Sequence, residues 1–503
     1  MKKRFGSYQY SALNVSVFVC GAVLMIFELV GSRMFAPFLG TSTYVWTSLI
    51  GVILGFLSLG YWYGGKLADK KTSFATYAKI IFCAAASILV VFFIQSGVLF
   101  FFKTYIQQIE LSAVLSAIVL FAPASFLLGI VSPYAVRLKL EHLENSASTI
   151  GTLYAISTAG SIFGTFFGGF FLIPRLGTAE NLLLLSGVLA LVPLLFLRSK
   201  KSVIVTAVVI GLIASSYTTH TYFRAVLFQK FHFIDVDSEY SRIRVSQSKN
   251  PKNGKEQLNL TTDPFATESA MYLTDDELVF DYTKFYHLDA HFKPNIQSAL
   301  MLGGCAYSYP KDFLRNYPSA TMDVVEIDPL MTELAKKYFR LTDNPRLTTY
   351  HEDGRMFLNR NTKQYDVIYG DAFNAASSIP FQLTTKEAVQ HQFNALNADG
   401  VVLANIISAI DGKRGKFLRA QYATYKSIFP QVYLFPITDR AEGTQVQNVL
   451  LVALKSQTAP KFTSTNTELN GYLAHRWMSE VKNDLPILTD NFAPVDYYKR
   501  ESF

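Results

Sequence analysis

Seven apolar stretches follow one another through the first 217 residues: Val15–Val30, Val45–Trp62, Ile80–Phe102, Leu111–Val131, Ile150–Ile173, Leu182–Leu197 and Val203–Tyr217. A helix crossing a hydrocarbon core of about 30 Å needs roughly 20 apolar residues. The first and the last two stretches are short for that task, and the seventh is the weakest. Core helices of a soluble protein carry a polar face, and seven such runs in succession would bury nothing polar. The pattern predicts an α-helical transmembrane bundle over residues 1–217. Small residues recur in the fifth stretch at Gly160, Gly164, Gly168 and Gly169, which suits close helix packing.

From about residue 218 the periods shorten. Residues 218–292 alternate β-like runs, Ser241–Val245 and Gln257–Leu260, with a turn-rich insert over 249–254, and predict a small β-rich subdomain. Over residues 293–503 buried-type strands alternate with helical segments: Ala299–Leu302, Met322–Ile327, Leu347–Tyr350, Asp366–Tyr369, Val401–Ile406, Val432–Pro436 and Val446–Leu454. This alternation predicts an α/β Rossmann-like domain, a parallel sheet with helices on both faces. Ligands of such sheets bind at the carboxyl ends of the strands.

Charge sharpens the division. Residues 1–217 hold 15 Lys/Arg and 6 Asp/Glu, whereas the remaining 286 residues hold 31 and 32. The basic excess belongs to the hydrophobic half, where it sets membrane orientation. No basic stripe with interleaved aromatics appears, so nucleic acid is not an expected partner and membrane lipid is. Twelve basic residues fall in alternate connections (Lys2, Lys3, Arg4; Lys66, Lys70, Lys71, Lys79; Arg137, Lys139; Arg198, Lys200, Lys201), against Arg33, Lys103 and Arg175 in the others. A cytoplasmic N-terminus follows, with the chain multi-pass in the cell membrane. The first apolar run leads into Gly31-Ser-Arg33 and further hydrophobic segments, so it reads as a first span and not as a cleaved signal. Cys20, Cys83 and Cys305 offer neither a disulfide framework nor metal-ligand spacing, and no metal site is expected.

The chemistry-bearing residues gather at predicted strand ends. The first strand runs into Gly303 and Gly304, which let the backbone turn tightly and approach a ligand, or serve the turn alone. Glu326 ends the second strand at a spacing suited to gripping a ribose diol. Asp353, followed by Gly354, ends the third; it reads equally as an acceptor for an adenine amino group or as a helix cap. Asp371 follows the fourth, buried strand directly, where an unpaired charge is expensive, which favours a place in the cleft. Four successive strand tips with this pattern make a nucleoside site.

At these residues the stretch 238–405 resembles the polyamine aminopropyltransferases, the spermidine synthases. The resemblance rests on Ser238-Glu-Tyr-Ser-Arg-Ile-Arg-Val245, Val324-Val-Glu-Ile-Asp-Pro329, Leu334-Ala-Lys-Lys-Tyr-Phe339, Asp353-Gly-Arg355 and Tyr365-Asp-Val-Ile368 leading to Asp371. Leu383-Thr-Thr-Lys-Glu387, Leu488-Thr-Asp-Asn-Phe-Ala-Pro-Val495, Glu28-Leu-Val-Gly-Ser-Arg33 and Tyr61-Trp-Tyr-Gly-Gly-Lys-Leu-Ala-Asp69 are similar to a branch fused to membrane helices. The resemblance implies a seven-stranded methyltransferase-type sheet. It also implies transfer of an aminopropyl group from decarboxylated S-adenosylmethionine, a co-substrate and not a tightly bound cofactor, to a small-molecule amine. Glu326 would hold the ribose, Asp353 the adenine, and Asp371 the attacking amine as catalytic base or electrostatic anchor.

The sequence departs from that pattern in the amine half of the site. Ala306 stands where the family has an acid that grips the aminopropyl ammonium, Ser241 replaces a Gln, Tyr282-Thr283-Lys284 replaces Tyr-His-Glu, and Asn374 replaces an acid. Tyr282, Lys284, Asn374 and Asp490 are the expected substrate-binding residues. A pocket short of acids suggests a second substrate other than plain putrescine. Lys284 would suit a carboxylate, and with it S-adenosylmethionine itself in a carboxy-aminopropyl transfer or lyase reaction, or it is a solvated surface lysine. Asp490 either reaches back over the site or forms a turn. Glu28, inside the first span, is functional or pairs with Arg33, the plainer of the two. A transporter or sensor with a non-catalytic nucleoside-binding domain is the other function class, and a homodimer through the soluble domain a further partner. Seven crossings would leave the soluble domain outside the cell, away from where nucleoside substrates are made; a cytoplasmic domain is favoured, with the seventh stretch not crossing or one span miscounted.

Overall fold

The computed structural model describes residues 2–140, 146–197, 200–231, 233–264, 266–372, 379–439 and 442–499. The chain divides into two compact units, Met1–Lys230 with Val236–Ser241, and Phe231–Asp235 with Arg242–Phe503.

The first unit holds seven long helices: α1 (Lys2–Leu39), α2 (Thr43–Lys70), α3 (Phe74–Tyr105), α4 (Ile109–Lys139), α5 (Ser146–Phe167), α6 (Thr178–Leu191) and α7 (Lys200–Phe231). Seven segments are long and apolar enough to cross a membrane, those of α5 and α6 being completed by the helical turns that follow them, to Leu172 and Leu195. α7 runs on past residue 217, because no Gly or Pro interrupts residues 218–230. Gly160 and Gly164 of α5 lie against the backbone of Phe18 and Ala22 in α1: a methyl group on either would sit 2.1 or 2.3 Å from a main-chain oxygen. Gly168 also faces α1, at Ile26, while Gly169 faces open space. The pairing of Glu28 with Arg33 is not found. The Arg33 guanidinium donates instead to the backbone carbonyls of Ser238 and Glu239.

A four-stranded sheet in the order β1-β2-β3-β4 comes next, made of β1 (Ile234–Asp237), whose last two residues are counted with the first unit, and of β2 (Arg242–Lys249), β3 (Glu256–Thr261) and β4 (Ser269–Tyr272) of the second. Short helices α8 (Asp281–Phe285) and α9 (Asp289–Phe292) lead into the main sheet. Its strands are β5 (Ser298–Leu302), β6 (Thr321–Val325), β7 (Leu347–Tyr350), β8 (Tyr365–Gly370), β9 (Leu396–Ser408), β10 (Gln431–Pro436) and β11 (Gln447–Leu454), in the order β10-β11-β9-β8-β5-β6-β7. Helices α10 (Ser308–Asn316), α11 (Pro329–Tyr338), α12 (Gly354–Arg360), α13 (Lys386–Asn394) and α14 (Lys416–Lys426) fall between them.

The expected all-parallel sheet is corrected at one edge. β11 runs antiparallel to both neighbours, β9 and β10. The connection over 437–446 is shorter than the dozen or so residues a parallel crossover requires, so β11 must return as a hairpin.

Strand alternation explains the continuous apolar runs. Leu300, Leu302, Ile368, Val402 and Ala404 face a core shared with Phe357, Val389 and Leu418. Their neighbours Ala299, Met301, Val367, Val401 and Leu403 face a second core with Tyr286, Tyr309 and Phe313. Both faces of the sheet are covered, so both phases of the period-two pattern are apolar. β5 lies between β6 and β8, and the chain leaves it in opposite directions across the sheet. Such a switch point opens a crevice at the strand ends.

Candidate functional site

A cavity of about 370 Å³ occupies that crevice. Gly303, Gly304, Glu326, Asp353 and Gly354 line it, as do Tyr282 and Asp371. Four strand tips that are far apart in sequence therefore meet at one space.

The loop after β5 is held by the tip of β6. Gly304 and Cys305 each donate a backbone N–H to one oxygen of the Glu326 carboxylate at 2.9 Å, and Asp328 donates to the other at 3.0 Å. Glu326 is buried, and burial pushes its pKa up even though these amides favour the charged form. A carboxylate has about four acceptor sites, so three amides leave room for a hydroxyl donor. Gly303 has φ +94°, and a methyl group there would lie 2.4 Å from the Asp371 carbonyl oxygen. Its own N–H reaches the Val325 carbonyl at 2.8 Å. Only glycine fits this turn, which brings the β5 loop and Asp371 together.

Asp353 is the helix cap of one of its two expectations. One carboxylate oxygen caps α12 through the N–H groups of Arg355 and Met356, at 2.8 and 3.0 Å. The other accepts from the Gln382 amide at 3.2 Å, at the cavity wall.

Asp371 is braced by side chains. The Tyr282 hydroxyl donates to one oxygen and the Asn405 amide to the other, both at 3.1 Å. Asn448 of β11 in turn donates to the Asn405 carbonyl oxygen at 2.9 Å. The Tyr286 hydroxyl, fully buried, lies close enough to favour the Asp371 charge but outside hydrogen-bond geometry. Burial outweighs these donors and raises the Asp371 pKa to about 6. Tyr282 is held protonated, well above the usual phenol range, by burial and by the Asp371 charge.

Two expected residues are not brought to the cavity. Lys284 pairs with Glu277 at 3.0 Å and is absent from the lining among the described residues. Asp490 binds Arg355 and Thr385, both at 2.7 Å, tying the C-terminal segment to the starts of α12 and α13. Asn374 lies outside the described residues.

Sequence reasoning missed Glu268, Asn405 and Asn448, all in the lining. Asn405 had left a signal, as the one polar side chain in the run Val401–Ile406. Glu268, in a turn-rich segment before β4, left none. With Glu268, Glu326, Glu352, Asp353 and Asp371, the lining carries five carboxylates and, among the described residues, no Lys, Arg or His. Positions 306 and 374 carry no acid, but Glu268 and Glu352 add carboxylates to the expected Glu326, Asp353 and Asp371.

Residues 280–436 match the spermine/spermidine synthase domain family. A polyamine aminopropyltransferase from Vibrio vulnificus (strain CMCP6) is 30% identical over 242 residues, covering 45% of this chain and 77% of that protein. A second, from Alkaliphilus oremlandii (strain OhILAs), is 27% identical over 201 residues, covering 38% and 66%. Among solved structures, a probable spermidine synthase from Corynebacterium glutamicum ATCC 13032 aligns at 22% identity with a TM-score of 0.40, over 47% of this chain and 84% of that one.

Proposed function

The chain belongs to the polyamine aminopropyltransferase family, and on that premise we propose that its second unit moves an aminopropyl group from decarboxylated S-adenosylmethionine to an amine. The observation that carries this reading is Asp371, held by Tyr282 and Asn405 in a cavity whose described lining has carboxylates and no cationic side chain. Both substrates are cations, and ammonium or sulfonium groups leave water only for compensating charge. S-adenosylmethionine itself, with its carboxylate, would find no described cationic partner there, so the decarboxylated donor is favoured.

In the reaction the amine nitrogen attacks the methylene bonded to sulfur. The C–N bond forms, the C–S bond breaks, and the electron pair stays on sulfur as a neutral thioether, methylthioadenosine. Asp371 accepts the proton the amine must shed. A free alkylammonium has a pKa of about 10.4, far above that of Asp371; burial has already raised the acid, and desolvation in the cavity lowers the amine toward it. Glu326 and the loop it holds position the nucleoside, so that the reacting carbon sits before the amine. Tyr282 and Asn405 aim the carboxylate.

The first unit we read as a multi-pass membrane anchor, on the strength of its seven long apolar helices. A cytoplasmic second unit, favoured by where its substrates are made, requires that α7 not cross or that another of the seven spans be miscounted. A reporter fused to the C-terminus decides this.

The test of the reaction is full-length protein in detergent, given labelled decarboxylated S-adenosylmethionine and a series of amines. Release of methylthioadenosine with a labelled polyamine product, at rates within the ~1–10³ s⁻¹ usual for enzymes, is expected. Failure to release it with any amine, by protein that still binds methylthioadenosine, would remove the transferase reading.

A further inference from the structure

Glu268 precedes β4 and lines the cavity, although it belongs to the small sheet and not to any of the strand tips that carry the nucleoside residues. Its carboxylate is fixed from across the hairpin by the Thr262 hydroxyl, and its backbone N–H bonds to the Leu260 carbonyl at 3.1 Å. The acid is thus held in place by β3 and not left on a free loop. Its charge acts on Cys305, in the loop after β5, more strongly than do those of Glu326 and Asp371. It also acts on Tyr282, the residue that aims Asp371. Cys305, Tyr282 and Asp371 line the same cavity as Glu268.

The other acids of the lining have work of their own. Glu326 clasps three loop amides, Asp353 caps α12, Glu352 is paired with Arg360, and Asp371 sits between Tyr282 and Asn405.

We infer that Glu268 anchors a primary alkylammonium group of a substrate and so decides which cationic chain the cavity accepts. The inference rests on the aminopropyl-transfer reading. Two sources offer this chemistry, the ammonium at the end of the donor's aminopropyl chain and the far ammonium of a diamine acceptor. In either case the cation exchanges its water for a carboxylate fixed by Thr262, a charge-assisted contact of the stronger kind. A chain without that ammonium would leave Glu268 facing a ligand that cannot answer its charge, which is the basis of discrimination.

The experiment compares wild type with Glu268→Gln in full-length protein. Glutamine keeps an oxygen for the Thr262 hydroxyl and removes the charge alone. KM is measured for the decarboxylated donor, for 1,4-diaminobutane and for 1-aminobutane, with methylthioadenosine affinity as the control for folding. A rise of about tenfold or more in donor KM, with the acceptors unmoved, supports the inference and assigns the ammonium to the donor. The same rise for the diamine, with donor and monoamine unmoved, supports it and assigns the acceptor. Unchanged KM values for donor and diamine overturn it. Should wild type transfer nothing, the parent reading fails on its own. Calorimetric titration of donor and diamine into both proteins then judges Glu268, equal affinities in the two counting against it.

Discussion

The Tyr282 hydroxyl and the Asp371 carboxylate meet at 3.1 Å, although 89 residues separate them in sequence. One comes from α8, ahead of the main sheet, and the other from the tip of β8. The bond stabilises the charged form of an acid that burial pushes toward neutrality.

Removing that bond should therefore be visible in pH dependence. In the proposed reaction transfer needs Asp371 unprotonated, so turnover is expected to fall as pH drops through about 6, the Asp371 value. In Tyr282→Phe one of the groups lowering this pKa is gone, and the acid limb moves to higher pH. A pH–rate profile of kcat for the two proteins checks the direction, and an unmoved limb would mean that the bond does not tune the base.

Asp371 should also burden the fold. Its folded pKa of about 6 lies above the ordinary 3.8, so the protein is most stable with the group protonated, and that advantage disappears as pH rises through about 6. Asp371→Asn removes the buried charge and should raise stability at neutral pH by up to about 2 kcal/mol while abolishing turnover. Thermal unfolding of both proteins is the measurement. The gap is expected to close as pH falls from about 6 to below the ordinary carboxylate value.

Gly303 admits no side chain. Its φ of +94° and the 2.4 Å approach of the Asp371 carbonyl together predict that Gly303→Ala costs about 2 kcal/mol or more and displaces Asp371. Gly354→Ala, where the methyl would meet Leu383 at an ordinary 3.4 Å, should be milder. Melting temperatures and methylthioadenosine affinity of the pair test the contrast.

Lys284 should matter little. Its ammonium sits on Glu277 away from the cavity, in a partly exposed ion pair of a kind worth about 1 kcal/mol at most. Lys284→Ala is expected to keep turnover within about twofold, since the stability change stays in the surface range. A large rise in the KM of either substrate would return this lysine to the site.

Most strands were legible because their runs are apolar on both faces and bounded by breakers; the edge strand Leu347–Tyr350, with Thr348 and Thr349 inside it, was also placed to the residue. The direction of β11 was not, since an apolar run reads alike parallel or antiparallel, and direction is set by the connection before it. The acids at strand tips could be found because a charge straight after a buried strand is costly. Glu268 could not, because nothing near it in sequence marks the turn before β4 as a cavity wall. Lys284 and Asp490 failed for the opposite reason: each found a nearby partner that no spacing rule announces, Glu277 in one case and Arg355 in the other.

The late return of β11 also sets an order of assembly. Asn448 lies on it, and through Asn405 its amide reaches Asp371. A nascent chain halted after β10 would contain the residues of the glycine turn, the Glu326 clasp and the Asp353 cap, yet not the one that holds the Asn405 carbonyl. The brace behind Asp371 is thus the last of these parts to be synthesised.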